Sequence, residues 1–565
     1  MIGLSLSDAW FVPLPPRDAL PPPPISGVLL LRLSLVIQAA VLLWFGLTRS
    51  QLVPPGAGHH PRVGVRPEDD GDGPARRRAY GWLLACVTAT GLGLRLISLD
   101  SDLWLDEVTP ILDYGHASAW QVAISYISSN NHLLNTLLGK LSMAAFGERE
   151  WAIRLPAVIF GAATVPVLYW IARQAAPRHV SLAAALLLAT SYHHIFFSQN
   201  ARGYSGYLFF SLLASGWLVT GLRHGRTSDW GLYVAATVLD FATILISGFV
   251  FAAHVLVAGA AVLRVKYENG PWVPLLKRLL VVFTMTALLG FQLYALVLPQ
   301  MYVYMRVVYS DPSTGFSPFS RELLAELARG LSSGFATGLL LGAVPLVAIA
   351  GAGYVVLWKR NWMLAAALTL PSILQAALLV GRGLTFSPRF FILVLPLAML
   401  VGAQGIDCAA ALGARLLGRD ARVARRVTGV FVTLLTLISL ASLPRYYSVP
   451  KQAYRSSLEY VESVRRPAGI VVVIHLAESG VRYYGQRDGL QNAQDYFYVR
   501  TVDALDSVLA EHVGRPTWLM ITLPRALRIG VPDLDARIRR DWVVDRTFPG
   551  TVGDGDITVW REHVR

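Results

Sequence analysis

Carboxylates crowd one short stretch, LDSDLWLDEVTP, and three of its four, Asp102, Asp106 and Glu107, are the candidates for chemistry. Cations and amides gather elsewhere. NNHLLN supplies Asn131 and His132, SYHHIFF supplies His194, SQNARGYS supplies Asn200, Arg202 and Tyr204, and GRGLTFSPRFF supplies Arg382 and Arg389. A carboxylate can take the proton of an incoming hydroxyl, which is general-base work. A guanidinium grips phosphate oxygens through a planar, two-pronged fork. Together they suit a displacement in which a lipid-linked phosphate leaves onto the cations while the carboxylate activates the nucleophile. Each group alone has an ordinary explanation: an arginine at a membrane edge commonly snorkels, and an Asp-Glu pair at a helix end is commonly solvated. The weight lies in their coincidence.

That coincidence needs elements to create it. The chain has 565 residues, 54% hydrophobic and 15% charged, with mean hydropathy +0.48. Soluble domains are nearer 25% charged. Apolar runs recur at 26–47, 80–98, 153–173, 179–197, 204–222, 230–245, 248–264, 279–298, 334–357, 361–381, 388–411 and 428–443. Each approaches the roughly 17–25 residues that a helix needs to cross hydrocarbon. The expected fold is a polytopic α-helical membrane protein of about twelve spans. The pair between Trp230 and Arg264 is either two spans broken at LISGF or one long tilted helix. Barrel strands would read as alternating segments of about ten residues instead.

Charge orients the stack. RRRAYGW, RQAAPRH, RHGRTSD, RVKYENGPWVPLLKR, WKRN and ARLLGRDARVARR alternate with less basic loops, which places the basic set in the cytoplasm. Both termini then lie outside the cytoplasm, as in a multi-pass protein of a bacterial inner membrane. All the site candidates fall at the outer ends of spans. The net charge of +14 is accounted for by these loops, which argues against nucleic acid as a partner. Cys86 and Cys408 lie in apolar runs and form neither a metal knuckle nor a disulfide framework. The N-terminal segment lacks a basic region followed by an apolar stretch, so no cleavable signal peptide is expected.

Three regions emerge. Residues 1–79 hold a proline-rich start, an extra span and a cytoplasmic linker. Residues 80–445 form the transmembrane core, with a large first outer loop at 99–152 in which AWQVAISYI suits the membrane interface. Residues 446–565 turn polar: GIVVVIHL and TWLMITL read as buried strands, AYRSSLEYVESVRR and VDALDSVLAEHV as helices, giving a small extracytoplasmic α/β domain.

RLISLDSDLWLDE, NNHLLNTLL, FGEREWAIRLPAVIFG, SQNARGYS and SPRFFILVLPLAML, followed by PKQAYRSSLEYV, resemble in order and spacing the bacterial family 39 glycosyltransferases of the GT-C superfamily, relatives of protein O-mannosyltransferases and the lipid A aminoarabinose transferase. The resemblance covers roughly residues 80–460. It implies an integral-membrane glycosyltransferase that moves a sugar, with inversion, from a polyprenyl phosphate to a lipid, glycan or protein acceptor at the outer face. It implies Asp106 as the base, in a catalytic pair with Glu107. Arg202, Tyr204, Arg382, Arg389 and His132 fall to donor binding, and Asp102, Asn131, Asn200 and His194 to acceptor or supporting roles. No cofactor is firmly implied; Asp106, Glu107 and His132 together could hold a divalent ion. Two departures stand out. Relatives often carry HPP where this chain has NNHLLN, and an acid before AR where Asn200 stands. Two other readings are a transporter or flippase, and a noncatalytic scaffold. Transporters tend to concentrate charge near the midplane on broken, repeated helices, whereas only Asp240 falls clearly within a span here.

Overall fold

A computed structural model describes residues 13–14, 21–52, 73–128, 130–308, 339–382, 388–465, 469–490 and 494–562. The apolar runs fold as helices, because a chain in hydrocarbon must satisfy its backbone groups within the segment itself. Among the described residues, nine helices are long and apolar enough to cross a bilayer: Gly27–Phe45, Pro74–Leu96, Glu150–Ala172, Tyr204–His224, Ser247–Tyr267, Trp272–Tyr294, Val347–Gly381, Val394–Leu416 and Ala421–Ser448. Helices Arg178–Thr190 and Tyr192–Ser198 form a further apolar pair, bent by 59°. Helix Thr227–Thr243 has 17 residues, about 26 Å at 1.5 Å per residue, short of the ~30 Å hydrocarbon core.

Two breaks follow from local chemistry. LISGF separates Thr227–Thr243 from Ser247–Tyr267, with Ile244 extended at φ −164°, so this pair is two helices and not one. Within Leu339–Gly381, Asn361 leaves the helical region (φ −154°, ψ 78°). Its Oδ1 accepts from the Leu364 amide at 3.2 Å and so caps the helix that follows. The expected spans at 334–357 and 361–381 meet at this kink, and residues 334–338 lie outside the described residues.

By packing, the described residues form two compact units. One draws on Met1–Leu96, Ala119–Gly139 and Arg154–Ser442; the other on Ile97–Ser118, Lys140–Ile153 and Leu443–Arg565. The polar segment 99–152 is thus divided between them. The membrane unit centres on a core that includes Leu168, Ile171, Leu188, Leu208, Leu218, Val257 and Leu364. Leu43, Trp82, Leu263 and Phe431 are exposed on its helices, as expected where the neighbouring solvent is lipid.

The second unit is built on a five-stranded sheet of order β2-β1-β3-β5-β4. The strands are β1 (Ile470–Ile474), β2 (Tyr496–Val499), β3 (Thr517–Thr522), β4 (Trp542–Phe548) and β5 (Ile557–Glu562). β1 runs parallel to β2 and β3, while β5 is antiparallel to β3 and β4. β1 is buried along its whole length, the pattern of a strand covered on both faces. Helices Tyr454–Val464 and Val502–Glu511 stand where amphipathic patterns place them. Leu505, Leu527, Leu534 and Ile538 close over Ile470, Val472, Ile474 and Leu519.

Candidate active site

The acidic stretch belongs to the α/β unit. Trp104 is extended (φ −94°, ψ 170°) and the helix Leu105–Tyr114 starts after it, with Asp106 and Glu107 in its first turn. Acids there meet the positive end of the helix dipole. Glu107 Oε2 accepts from the Trp104 amide at 3.3 Å, the glutamate half of a capping box. The three acids then part ways. Glu107 is 1% exposed and forms an ion pair with Lys451, Oε2 to Nζ 3.4 Å. Asp102 is buried and accepts from the Arg455 amide at 2.9 Å and from its Nη1 at 3.1 Å. Asp106 remains half-buried.

A charged hub braces this segment. Arg455 also pairs with Glu150, and with Asp488 at 2.9 Å. Arg487 reaches Glu150 at 2.8 Å and Asp488 at 2.7 Å. Both guanidiniums lie about 5 Å from the Tyr484 ring, at 4.9 and 5.0 Å, within cation–π range. Burial works against the Arg455 charge, but Asp488, Glu150 and Asp102 raise its pKa. Burial, with Asp102 and Asp106 nearby, raises the Tyr454 hydroxyl, which therefore stays neutral. Lys451, Arg455, Glu150 and Tyr484 were not among the sequence candidates. The charges of Lys451, Arg455 and Glu150 stood in PKQAYR and GERE, but nothing local in those stretches names their partners.

The cationic candidates belong to the membrane unit. Arg202 follows a short turn after Ser198 and is 4% exposed. Its Nη1 donates to Asn130 Oδ1 at 2.8 Å and to the Asn130 carbonyl at 3.3 Å. The Gly203 amide donates to His132 Nδ1 at 3.0 Å, which places the ring proton on Nε2. Only glycine fits there: a Cβ at position 203 would come within 2.4 Å of the Thr243 carbonyl and 2.6 Å of His132 Nδ1. Tyr204 packs edge-on against His132, with ring centroids 5.5 Å apart, and Arg202 stands 5.9 Å from the Tyr204 ring. Burial first, then the charges of Arg202 and Arg389, hold the His132 pKa well below its usual value. Arg389 is half-buried in the turn Pro388–Phe391, its guanidinium 5.5 Å from the Phe390 ring. Arg202, Tyr204, His132 and Arg389 thus share one electrostatic environment.

Other candidates sit apart from that group. Arg382 is exposed just past the helix Leu339–Gly381, and residues 383–387 lie outside the described residues. Asn131 staples its own loop, donating to the Val122 carbonyl at 3.3 Å and accepting from Thr136 at 3.1 Å. Asn200 is fully buried in the turn before Tyr204. His194 belongs to a knot at the helix bend: Arg95, fully buried, donates to His194 Nδ1 at 2.7 Å, Ser198 Oγ at 3.1 Å and the Ala189 carbonyl at 3.0 Å. Arg95 was read only as part of RLISLDSDLWLDE and not as a partner of His194.

The side chains considered for a divalent ion do not assemble a ligand set. Glu107 is neutralised by Lys451, and His132 Nδ1 takes the Gly203 amide. Among the described residues no group of three or more His, Cys, Asp or Glu side chains could hold a metal.

Comparison with known proteins gives the setting for this geometry. Residues 133–289 match the family model described as dolichyl-phosphate-mannose-protein mannosyltransferase. That stretch contains Arg202 and Tyr204 and stops short of Asp106 and Arg389. Among solved structures, apo ArnT from Cupriavidus metallidurans aligns with TM-score 0.50 and 15% identity, over 86% of this chain and 98% of that one. The same protein bound to undecaprenyl phosphate aligns at 0.49 with 13% identity, over 86% and 99%. The oligosaccharyltransferase AglB from Archaeoglobus fulgidus, in complex with an inhibitory peptide and a dolichol-phosphate, aligns at 0.49 with 11% identity, over 81% and 70%. No curated protein matches. The ArnT likeness carries the fold alone, and with the apolar helices it meets the expectation of a polytopic α-helical membrane protein.

Proposed function

We propose that this chain is a membrane glycosyltransferase of the GT-C type, and that it transfers a sugar from a polyprenyl-phosphate donor to an acceptor hydroxyl at the outer membrane face. Asp106 takes the hydroxyl proton. The freed oxygen attacks sugar C1, the C1–O bond to phosphate breaks, and polyprenyl phosphate leaves with the electron pair. Arg202 and Arg389 receive the phosphate charge. A single displacement from the face opposite the leaving group inverts the anomeric centre. The acceptor is a lipid, a glycan or a protein.

The observation that carries this reading is the division of labour among the three acids. Glu107 and Asp102 are tied to Lys451 and Arg455, which fixes the chain around Asp106, a half-buried carboxylate at a helix start. A general base needs that combination of fixed backbone and reachable oxygen. Glu107 accordingly takes a supporting place beside the base. Arg202 supports the donor half: it is buried, anchored by Asn130, and, beyond the effect of burial, acts with Arg389 to hold the His132 pKa down. The basic-loop alternation supports an outer-face reaction, with 80–445 as the membrane core, 446–565 as an extracytoplasmic domain and both termini outside.

The transport reading finds little support in the spans. Asp240 is tied to Ser211 at 2.8 Å and His254 to Ser215 at 3.1 Å, all fully buried between neighbouring helices. These are internal ties and not a pathway. The test is reconstitution of the purified protein with a synthetic polyprenyl-phosphate sugar and a hydroxyl acceptor. Product of inverted anomeric configuration, read by NMR, is expected. Retained configuration, or donor crossing the bilayer without transfer, would overturn the proposal.

A further inference from the structure

In open α/β sheets, ligands ordinarily bind beyond the carboxyl ends of parallel strands, at the point where the chain reverses its direction across the sheet. Here that point lies at β1. The chain passes from β1 to β2 on one side, then crosses to β3 on the other. What occupies this edge is the chain itself. β3 ends at Thr522, whose hydroxyl accepts from Gln452 Nε2 at 2.8 Å and donates to the Asp556 carbonyl at 3.2 Å. The other end of the same amide, Gln452 Oε1, accepts from the Leu105 amide at 2.6 Å. Leu105 is the first residue of the helix that carries Asp106.

The neighbouring contacts repeat the pattern. Tyr484, on the helix Ala477–Arg487 that follows β1, accepts from the Leu103 amide at 2.6 Å. Arg455 holds Asp102, and Lys451 holds Glu107. Residues 102, 103, 105 and 107 are therefore each tied, so the chain on both sides of Asp106 is anchored. The platform is itself fixed. Thr551 donates its amide to the Pro450 carbonyl at 3.0 Å and Val552 to the Lys451 carbonyl at 3.4 Å. Gln452 is fully buried and Lys451 is 2% exposed. Gly480 lets the Tyr454 ring lie against the helix, since a Cβ there would come within 2.4 Å of three of its ring carbons.

We infer that the carboxyl edge of this sheet serves as a positioning platform for the Asp106 carboxylate, with Lys451 and Gln452 as its positioning residues, and not as a ligand crevice. The inference rests on Asp106 being the base. Its physical basis is that a general base works only within hydrogen-bond reach of its proton, so a displacement of about 1 Å lowers turnover without touching the donor site.

The experiment uses Gln452→Met in the full-length protein, which leaves the Lys451–Glu107 pair in place. Turnover with a polyprenyl-phosphate sugar should fall about 100-fold, with KM for the donor nearly unchanged. The acid limb of the pH–rate profile should move, because the environment of Asp106 has changed. Thr522→Val, which loosens the Gln452 amide from β3, should shift the same quantities less, and it carries the test if Gln452→Met fails to fold. Hydrogen exchange gives a readout independent of activity: the amides of 105–108 should lose protection in Gln452→Met. Wild-type turnover and pH profile in a folded Gln452→Met protein would overturn the inference, as would unchanged exchange or a loss confined to donor KM. If the unsubstituted protein transfers no sugar, the reading of Asp106 fails, and the exchange result still decides whether the edge holds this helix.

Discussion

Lys451→Met should destabilise the α/β unit far more than a surface lysine would. Its Nζ lies 3.4 Å from Glu107 Oε2, and the two side chains are 3% and 0% exposed. Removing one partner of such a pair leaves a buried charge without its counterion, which costs about 3–5 kcal/mol. In a unit of this size that is a drop of roughly 6–20 °C in melting midpoint. Lys451→Met combined with Glu107→Gln should recover most of the loss. The buried charge is then gone, while the glutamine oxygen can still accept from the Trp104 amide at the helix start. Thermal unfolding of wild type, both single variants and the double variant, followed by protease resistance of the C-terminal unit, completes a double-mutant cycle. A Lys451→Met cost within about 1 kcal/mol, the range of an exposed pair, or a double variant no better than the sum of the singles, would refute the reasoning.

Other outcomes follow from the membrane unit. Arg389→Ala and Arg202→Ala should each weaken use of the donor by about 2–5 kcal/mol, and lysine at either position should restore only part, because a point charge lacks the fork; wild-type donor kinetics would remove that residue from the site. His132 titrates below its ordinary value, so the folded protein binds fewer protons than the unfolded chain between the two pKa values. Its contribution to stability is therefore complete above about pH 6.5 and is lost as pH falls toward the depressed folded value. His132→Gln should flatten the dependence of melting midpoint on pH between about 7 and 5, and equal slopes in the two proteins would contradict the assignment. A cysteine placed in RDARVARR should resist an impermeant thiol reagent in intact cells while one placed after residue 450 reacts, and the reverse pattern would invert the orientation.

The membrane helices were legible because hydrocarbon imposes a strong and local code. Length, apolarity and the breaks at LISGF and WKRN are all short-range signals, and Ile244 and Asn361 stand where those breaks were read. The sheet was half legible. β1 and β3 are buried runs that announce themselves, whereas β4 alternates with Asp545 and Arg546 in its middle, and β2 is four residues long. The site was legible as a set of residue types and not as a set of pairs. Lys451, Gln452 and Arg455 lie in a stretch that reads as a linker. Yet their partners in the acidic segment are 344, 347 and 353 residues away in sequence. No periodicity or spacing carries such pairings; they appear only when the tail folds back onto the acidic segment. His194 shows the converse. A histidine beside a polar motif suggested a site role, but the buried Arg95, 99 residues earlier in the chain, accounts for it.

The most direct test is turnover by Asp106→Asn with a synthetic polyprenyl-phosphate sugar. Asparagine keeps the size and the helix-start position and removes the base. Transfer should fall by about 100-fold or more, while the variant folds and binds the donor as the wild type does. Asp102→Asn, judged in the same assay, should fall much less, since Asp102 holds Arg455 and not the acceptor. Normal turnover by Asp106→Asn, above all beside an inactive Asp102→Asn, would contradict the assignment of Asp106 as the base.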